Sequence, residues 1–275
     1  MSCGEQLEGR ANLIWTFRLF SPRVLTMKTH FLAASLLLIA SFPLAGQTSA
    51  SSKPTADQIM ATMFERDTQR EMLQGGYSGR REYTFDNLKL NKHAEMLVNV
   101  TGDPNGAKHF EVVSEDGWHS AHKHVLHKML ESESDSSQPE TRPKTRLVSN
   151  NYIFQMVEEG SLNGRPAYVI DVIPKRHDKY SFRGRIWVDA EDYALARVEG
   201  EPAKNPSFFI HSVHFVQEYH KSGPFWYPAS ISSVTEARIF GTTEVTIRYF
   251  AYKAASESAH GLSDPILKET KYVKH

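Results

Sequence analysis

His119, His122, His124 and His127 form the densest group of metal-ligating side chains in the chain. The chemistry they suggest is metal-assisted hydrolysis, in which a bound divalent ion activates water. Helical geometry argues against it. At about 100° per residue, His119 and His122 point one way and His124 and His127 another, so one helix cannot gather all four around an ion. His122 also falls in an apolar stripe, where a packed imidazole is the commoner outcome. The reading is therefore no metal site, with these four as weak candidates and a metal-assisted hydrolase as an alternative function.

Other chemistries find less support. No Gly-x-Ser-x-Gly elbow is present, and the serines and histidines are scattered without a triad pattern. Asp189, Glu191 and Asp192 could pair as carboxylates, but they stand where a hairpin must turn, and the turn is the simpler account. The single cysteine, Cys3, precedes the folded region, which leaves no thiolate catalyst and no Cys-ligated metal there. The expectation is no catalytic residue and no cofactor. Arg80, Arg81, Arg176, Arg183 and Arg185, with Lys175 and Lys179, are equally consistent with a charged sheet edge facing lipid headgroups and with charges that only keep an edge strand soluble.

The elements that would position such groups can be read from pattern. Thr55 and Gln58 make a capping box ahead of Ile59, Met60, Met63 and Phe64, so a helix starts there, and Gly75-Gly76 stops it. Residues 77–90, 93–102 and 108–116 alternate as strands, broken by Asn91-Lys92 and Asp103-Pro104-Asn105-Gly106, which is turn chemistry. Trp118 to Glu131 returns to helical spacing, with Trp118, His122, Val125, Leu126 and Met129 on one face. Residues 132–146, rich in Ser, Glu, Pro and Lys, read as a mobile loop.

Runs near 151–160, 166–175, 180–189, 193–200, 208–220, 226–240 and 242–253 are strands joined by short turns, about ten in all. Short connections force neighbours to be antiparallel. One large antiparallel sheet results, with the two amphipathic helices laid on its concave face and a pocket between.

The chain's start reads as an export leader. Lys28 precedes the apolar run Phe31 to Ala40, and small residues follow around Ala45, Gly46 and Ala50. The run is shorter than the roughly 20 residues of a membrane-spanning helix. The expected layout is a spurious or disordered extension over 1–26 with translation starting at Met27, a signal peptide over 27–46, a linker over 47–54, one domain over 55–254 and a tail over 255–275. Of 32 basic and 32 acidic residues, four and two fall in 1–46. The remainder is slightly acidic, so nucleic acid is not an expected partner.

Tyr152-Ile153-Phe154, Gly164-Arg165-Pro166-Ala167-Tyr168-Val169-Ile170, Arg183-Gly184-Arg185-Ile186-Trp187-Val188-Asp189, and Ala194 with Arg197-Val198-Glu199 resemble the periplasmic lipoprotein-carrier (LolA-like) superfamily, in its "outer membrane lipoprotein-sorting protein" branch. The helical insertion Val125 to Glu133 looks like the same branch. The likeness implies an α+β fold, mainly antiparallel β, in which an unclosed half β-barrel of about ten to eleven strands has helices covering its concave face. It also implies a non-enzymatic periplasmic carrier, soluble after export, whose partners are a lipid acyl chain or lipoprotein and a membrane-associated donor or acceptor protein. An envelope-stress sensor of the same fold is the alternative. Candidates for lining a lipid cavity are Met60, Met63, Phe64, Val125, Met129, Phe209, Phe215 and Trp226, large apolar side chains on the helices and long strands.

Overall fold

The computed structural model describes residues 53–205 and 207–256. The expected extension at 1–26, the export signal at 27–46 and nearly all of the linker and tail lie outside these residues.

Helix α1 (Ala56–Gln74) begins where the capping box places it. Gln58 N–H donates to Thr55 Oγ1, and Thr55 N–H donates to Gln58 Oε1, which satisfies two backbone donors that a helix start leaves open. Its buried face carries Ile59, Met60 and Met63. Gly75 closes it in the left-handed conformation at φ 66°, and Gly76 follows at φ 104°, so the chain reverses into the sheet without steric cost.

Strands β1 (Tyr77–Asn87), β2 (Lys92–Gly102) and β3 (Lys108–Gly117) form the first meander. After the insertion come β4 (Tyr152–Leu162), β5 (Arg165–Pro174), β6 (Phe182–Asp189), β7 (Ala194–Pro202), β8 (Ile210–Ser222), β9 (Phe225–Ala237) and β10 (Gly241–Ala254). The ten strands make one sheet in the order β3-β2-β1-β10-β9-β8-β7-β6-β5-β4. The nine paired neighbours are antiparallel, eight of them as their short connections require and the ninth, β1 with β10, without one. Edges β3 and β4 do not pair with each other, so the sheet is an unclosed half-barrel.

The insertion between the two edges holds α2 (His119–Ala121), a π-helical turn (His122–Leu126), α3 (His127–Ser137) and the short α4 (Arg142–Thr145). At the π-turn the His127 N–H bonds to the His122 carbonyl five residues back, and His122, Leu126 and Leu130 point inward.

Here the expectation of a mobile loop at 132–146 is corrected. The helix runs on to Ser137, α4 follows, and Glu133, Ser136, Ser137, Arg142 and Thr145 are buried. Polar composition reads as solvated, but these side chains find partners far away in sequence. Lys108 N–H donates to Ser137 Oγ, and Glu133 meets Arg81 and Lys108.

Besides a small apolar cluster of Phe225, Tyr227 and Ala254 with Tyr252, the sheet carries two large ones under the helices. One packs Ile59, Met60 and Met63 of α1 against residues of β4 to β8 such as Phe154, Phe182, Ile186 and Phe215. The other packs Ala121, Leu126 and Leu130 of the insertion against Tyr83, Met96, Ile231 and Ile247 of β1, β2, β9 and β10.

Candidate functional site

A cavity of about 140 Å³ opens where the two helical covers fail to meet. Asp67, Arg70 and Glu71 reach it from α1. Arg81 comes from β1, Lys108 from β3 and Glu133 from α3. Aromatic side chains of β1 and β8 to β10, among them Tyr219, Trp226, Tyr249 and Tyr252, line the rest. No Ser, Cys or His stands in this lining.

The ionic wall is built from three elements. Arg81 Nη1 donates to Glu133 Oε2 at 2.6 Å and Nη2 donates to Oε1 at 3.1 Å, while Lys108 Nζ donates to the same carboxylate. Arg81 Nε also donates to Tyr252 Oη at 2.9 Å, and its guanidinium lies 4.8 Å from the Tyr249 ring centre. Arg81 is 1% exposed and Glu133 4%. Burial by itself would raise the Glu133 pKa, yet Arg81 and Lys108 outweigh it and hold the carboxyl at about 2. Two cations thus share one anion in a dry site, an arrangement stable only with all three present.

Across the cavity Asp67 behaves in the opposite way. Burial lifts its pKa to about 7, against the pull of its partner Arg70, which also donates to the Asp192 carbonyl. One wall therefore holds its carboxylate ionised, while burial raises the pKa of a carboxyl of the other toward neutral pH.

The eight lipid-cavity candidates are not gathered around this hollow. Met60, Met63 and Phe215 are packed in the first cluster with Phe64 against it. Val125 and Met129 pack on the second. Phe209 is partly exposed beside Phe208. Trp226 alone of the eight lines the cavity, its Nε1–H donating to Asp192 Oδ2 at 3.0 Å. Arg81, read as a cation of a sheet edge, alternates instead into the core like any apolar strand residue, and Glu133 was missed because it sits in a polar stretch.

The histidines part company. His119 and His124 are exposed, His122 Nε2 lies 2.8 Å from the Asp116 carbonyl, and His127 Nε2 contacts Glu115. Among the described residues no group of three or more His, Cys, Asp or Glu is placed to hold a metal ion. The acidic turn is structural. Asp189 Oδ1 accepts the backbone N–H groups of Glu191 and Asp192, and Arg165 closes on its carboxylate.

The expected cationic edge dissolves. β1 lies inside the sheet, and Arg176, Arg183 and Arg185 pair with Asp178, Glu201 and Asp171.

Residues 145–254 match the model of a family of unknown function (DUF5686), a span that takes in β4 to β10. No curated protein matches the chain. Solved structures similar to it include a DUF1329 family protein from Desulfovibrio piger, at 13% identity and a TM-score of 0.40, covering 76% of this chain and 94% of that one. A LolA superfamily protein from Nitrosomonas europaea has 10% identity and a TM-score of 0.36, covering 78% and 100%. An outer membrane lipoprotein-sorting protein domain from Vibrio parahaemolyticus has 11% identity and a TM-score of 0.36, covering 74% and 95%. LolA-superfamily and lipoprotein-sorting proteins are thus among its structural neighbours. No helix among the described residues is long and apolar enough to cross a membrane.

Proposed function

We propose that this chain is a periplasmic carrier without covalent chemistry. In this reading it shelters a lipid acyl chain, or the acyl part of a lipoprotein, against the concave face of its sheet, with α1 as the displaceable cover. One observation carries the proposal. α1 is laid on the half-barrel by a short apolar face, Ile59, Met60 and Met63, and joined to it through Gly75-Gly76.

Magnitudes make the exchange reversible. The 140 Å³ hollow is close to the roughly 150 Å³ that takes one benzene ring, far short of a lipid tail, so the tail must take the place of the helix. Burying the three α1 side chains is worth about 2 kcal/mol each, or about 6 together. A tail of about 14 methylenes gains about 11 kcal/mol at about 0.8 each, before the cost of ordering it. Cover and cargo are then close enough in free energy to displace one another. The two methionines suit this, because an unbranched thioether repacks against differing shapes.

Asp57 Oδ1 and Ser149 Oγ lie 2.9 Å apart, so an Asp57→Cys/Ser149→Cys pair in a Cys3→Ser background can tether the free end of α1. Uptake of a fluorescent fatty acid should vanish on oxidation and return on reduction. Equal uptake in both states rejects α1 as the cover. No uptake in either state, with no lipid retained by the untethered protein, rejects the carrier.

A further inference from the structure

Three connections stand side by side at one end of the sheet. They are the β1–β2 turn, the segment between β7 and β8, and the β9–β10 turn, brought together because Asn87 pairs with Thr243 and Ala237 with both Gly241 and Ile210. Their apolar side chains face solvent: Leu88 and Leu90, Phe208 and Phe209, Ile239 and Phe240. Leu88 is 59% exposed, Phe208 77% and Ile239 53%. The loops are joined to one another. Lys89 Nζ donates to the Ile239 carbonyl at 3.0 Å, Arg238 N–H donates to the Phe209 carbonyl at 2.9 Å, and the Arg238 guanidinium lies 4.9 Å from the Phe208 ring centre.

The loop tips themselves carry charge of one sign, with carboxylates flanking them on the strands. Lys89, Lys92, Lys204 and Arg238 stand in or beside the three loops, whose sequences contain no Asp or Glu. No ion pair joins any of the four to another described residue. Carboxylates begin on the strands behind, at Asp86, Glu95, Glu236 and Glu244, set back from the tips by the roughly 3.3 Å that each strand residue spans. Aromatic and leucine side chains projecting beyond a ring of cations is the pattern that enters the headgroup boundary of an anionic bilayer.

We infer that this rim docks the protein on the surface of an anionic phospholipid bilayer, with Leu88, Phe208, Ile239 and Phe240 entering the headgroup boundary and the four cations meeting lipid phosphates. The inference does not depend on the carrier reading, because it concerns a surface and no cavity.

The full chain with Cys3→Ser allows one environment-sensitive fluorophore to be placed at Ile239→Cys, or at the exposed Ser161→Cys near the opposite rim. The apolar run at 31–40 can bind vesicles by itself, so only the contrast between the two positions reports on the rim. On vesicles of phosphatidylglycerol and phosphatidylethanolamine, emission at position 239 should shift to the blue and that at 161 should not. Lys89→Gln/Arg238→Gln should weaken the rim signal about fivefold per cation removed, and Phe208→Ser/Phe240→Ser should abolish the shift. Both pairs are exposed, and unchanged urea midpoints will show that the fold is kept. Equal shifts at 239 and 161, or no shift at 239 on bound protein, overturns the inference. So does an equal response on phosphatidylcholine vesicles, or a rim-dependent dimer without vesicles, which would assign the surface to a second copy.

Discussion

The two helical covers are attached to the same sheet by different physics. α1 is held over β4 to β8 by apolar contact, by a capping box and a glycine pair at its ends, and by single polar links at its margin, Arg70 to the Asp192 carbonyl and Ser149 to Asp57. α3 is held over β1 and β3 by apolar contact and by Glu133, buried against Arg81 and Lys108. Apolar contact is non-directional and can be replaced by any other grease, whereas a dry ion cluster has one solution. The difference ranks the two covers: on the carrier reading, α1 is the one to be exchanged and α3 the one to stay.

The sharpest way to break this contrast is at the ion cluster. Glu133→Ala leaves Arg81 and Lys108 buried without their anion and should cost about 3–5 kcal/mol in urea unfolding. A cost below about 1 kcal/mol would show that α3 is as loosely held as α1. Next comes Met63→Ala, expected at about 2–4 kcal/mol as a core truncation. If α1 is separable, hydrogen exchange should show that loss in the opening of α1, with the amides of α3 little changed.

Protonation should act on the two covers in opposite directions. The Asp67 pKa rises on folding from 3.8 to about 7, so its contribution is present at low pH and is lost as pH climbs through that window. The Glu133 pKa falls from 4.5 to about 2, so its contribution is present above 4.5 and is lost on acidification. Asp67→Asn should therefore gain stability relative to the unmodified chain between pH 4 and pH 8, measured as the gap between urea midpoints. A constant gap would show that Asp67 does not titrate in this range. The smallest effect belongs to Thr55→Ala, about 1 kcal/mol from loss of the cap, and it should appear as faster exchange in the first turn of α1 only.

Much of the fold was legible because alternation and turn chemistry are local. Asn163-Gly164 sits in the turn at φ 52° and 79°, and the pattern of Ala94, Met96, Val98 and Val100 facing inward follows directly from the strand period. Short connections account for the neighbours within β1 to β3 and within β4 to β10, but not for the β1–β10 pairing that joins the two runs. What escaped was non-local. Glu133 is buried because two cations from other strands meet it, and a polar run of Ser and Glu gives no sign of that. The extra residue of the π-turn at 122–126 changes which helix face is covered, and no period announces it. Phe208 and Phe209 open a run that reads as strand, with Phe209 a cavity candidate, yet β8 begins after them at Ile210, and side chains beyond the strand's end have no facing layer to bury them. The cavity candidates failed to converge for a similar reason: size and greasiness mark a side chain for burial without saying which cluster will receive it.

The pairing of β1 with β10 in the middle of the sheet has a consequence for assembly. Until the last strand is in place, the chain holds two unjoined pieces, β3-β2-β1 and β9 through β4, each with a bare ladder of backbone donors and acceptors on its inner margin. Because the β1–β10 pairing unites segments from opposite ends of the domain, it closes the longest loop of any strand pair in the sheet and carries the largest loop-closure entropy.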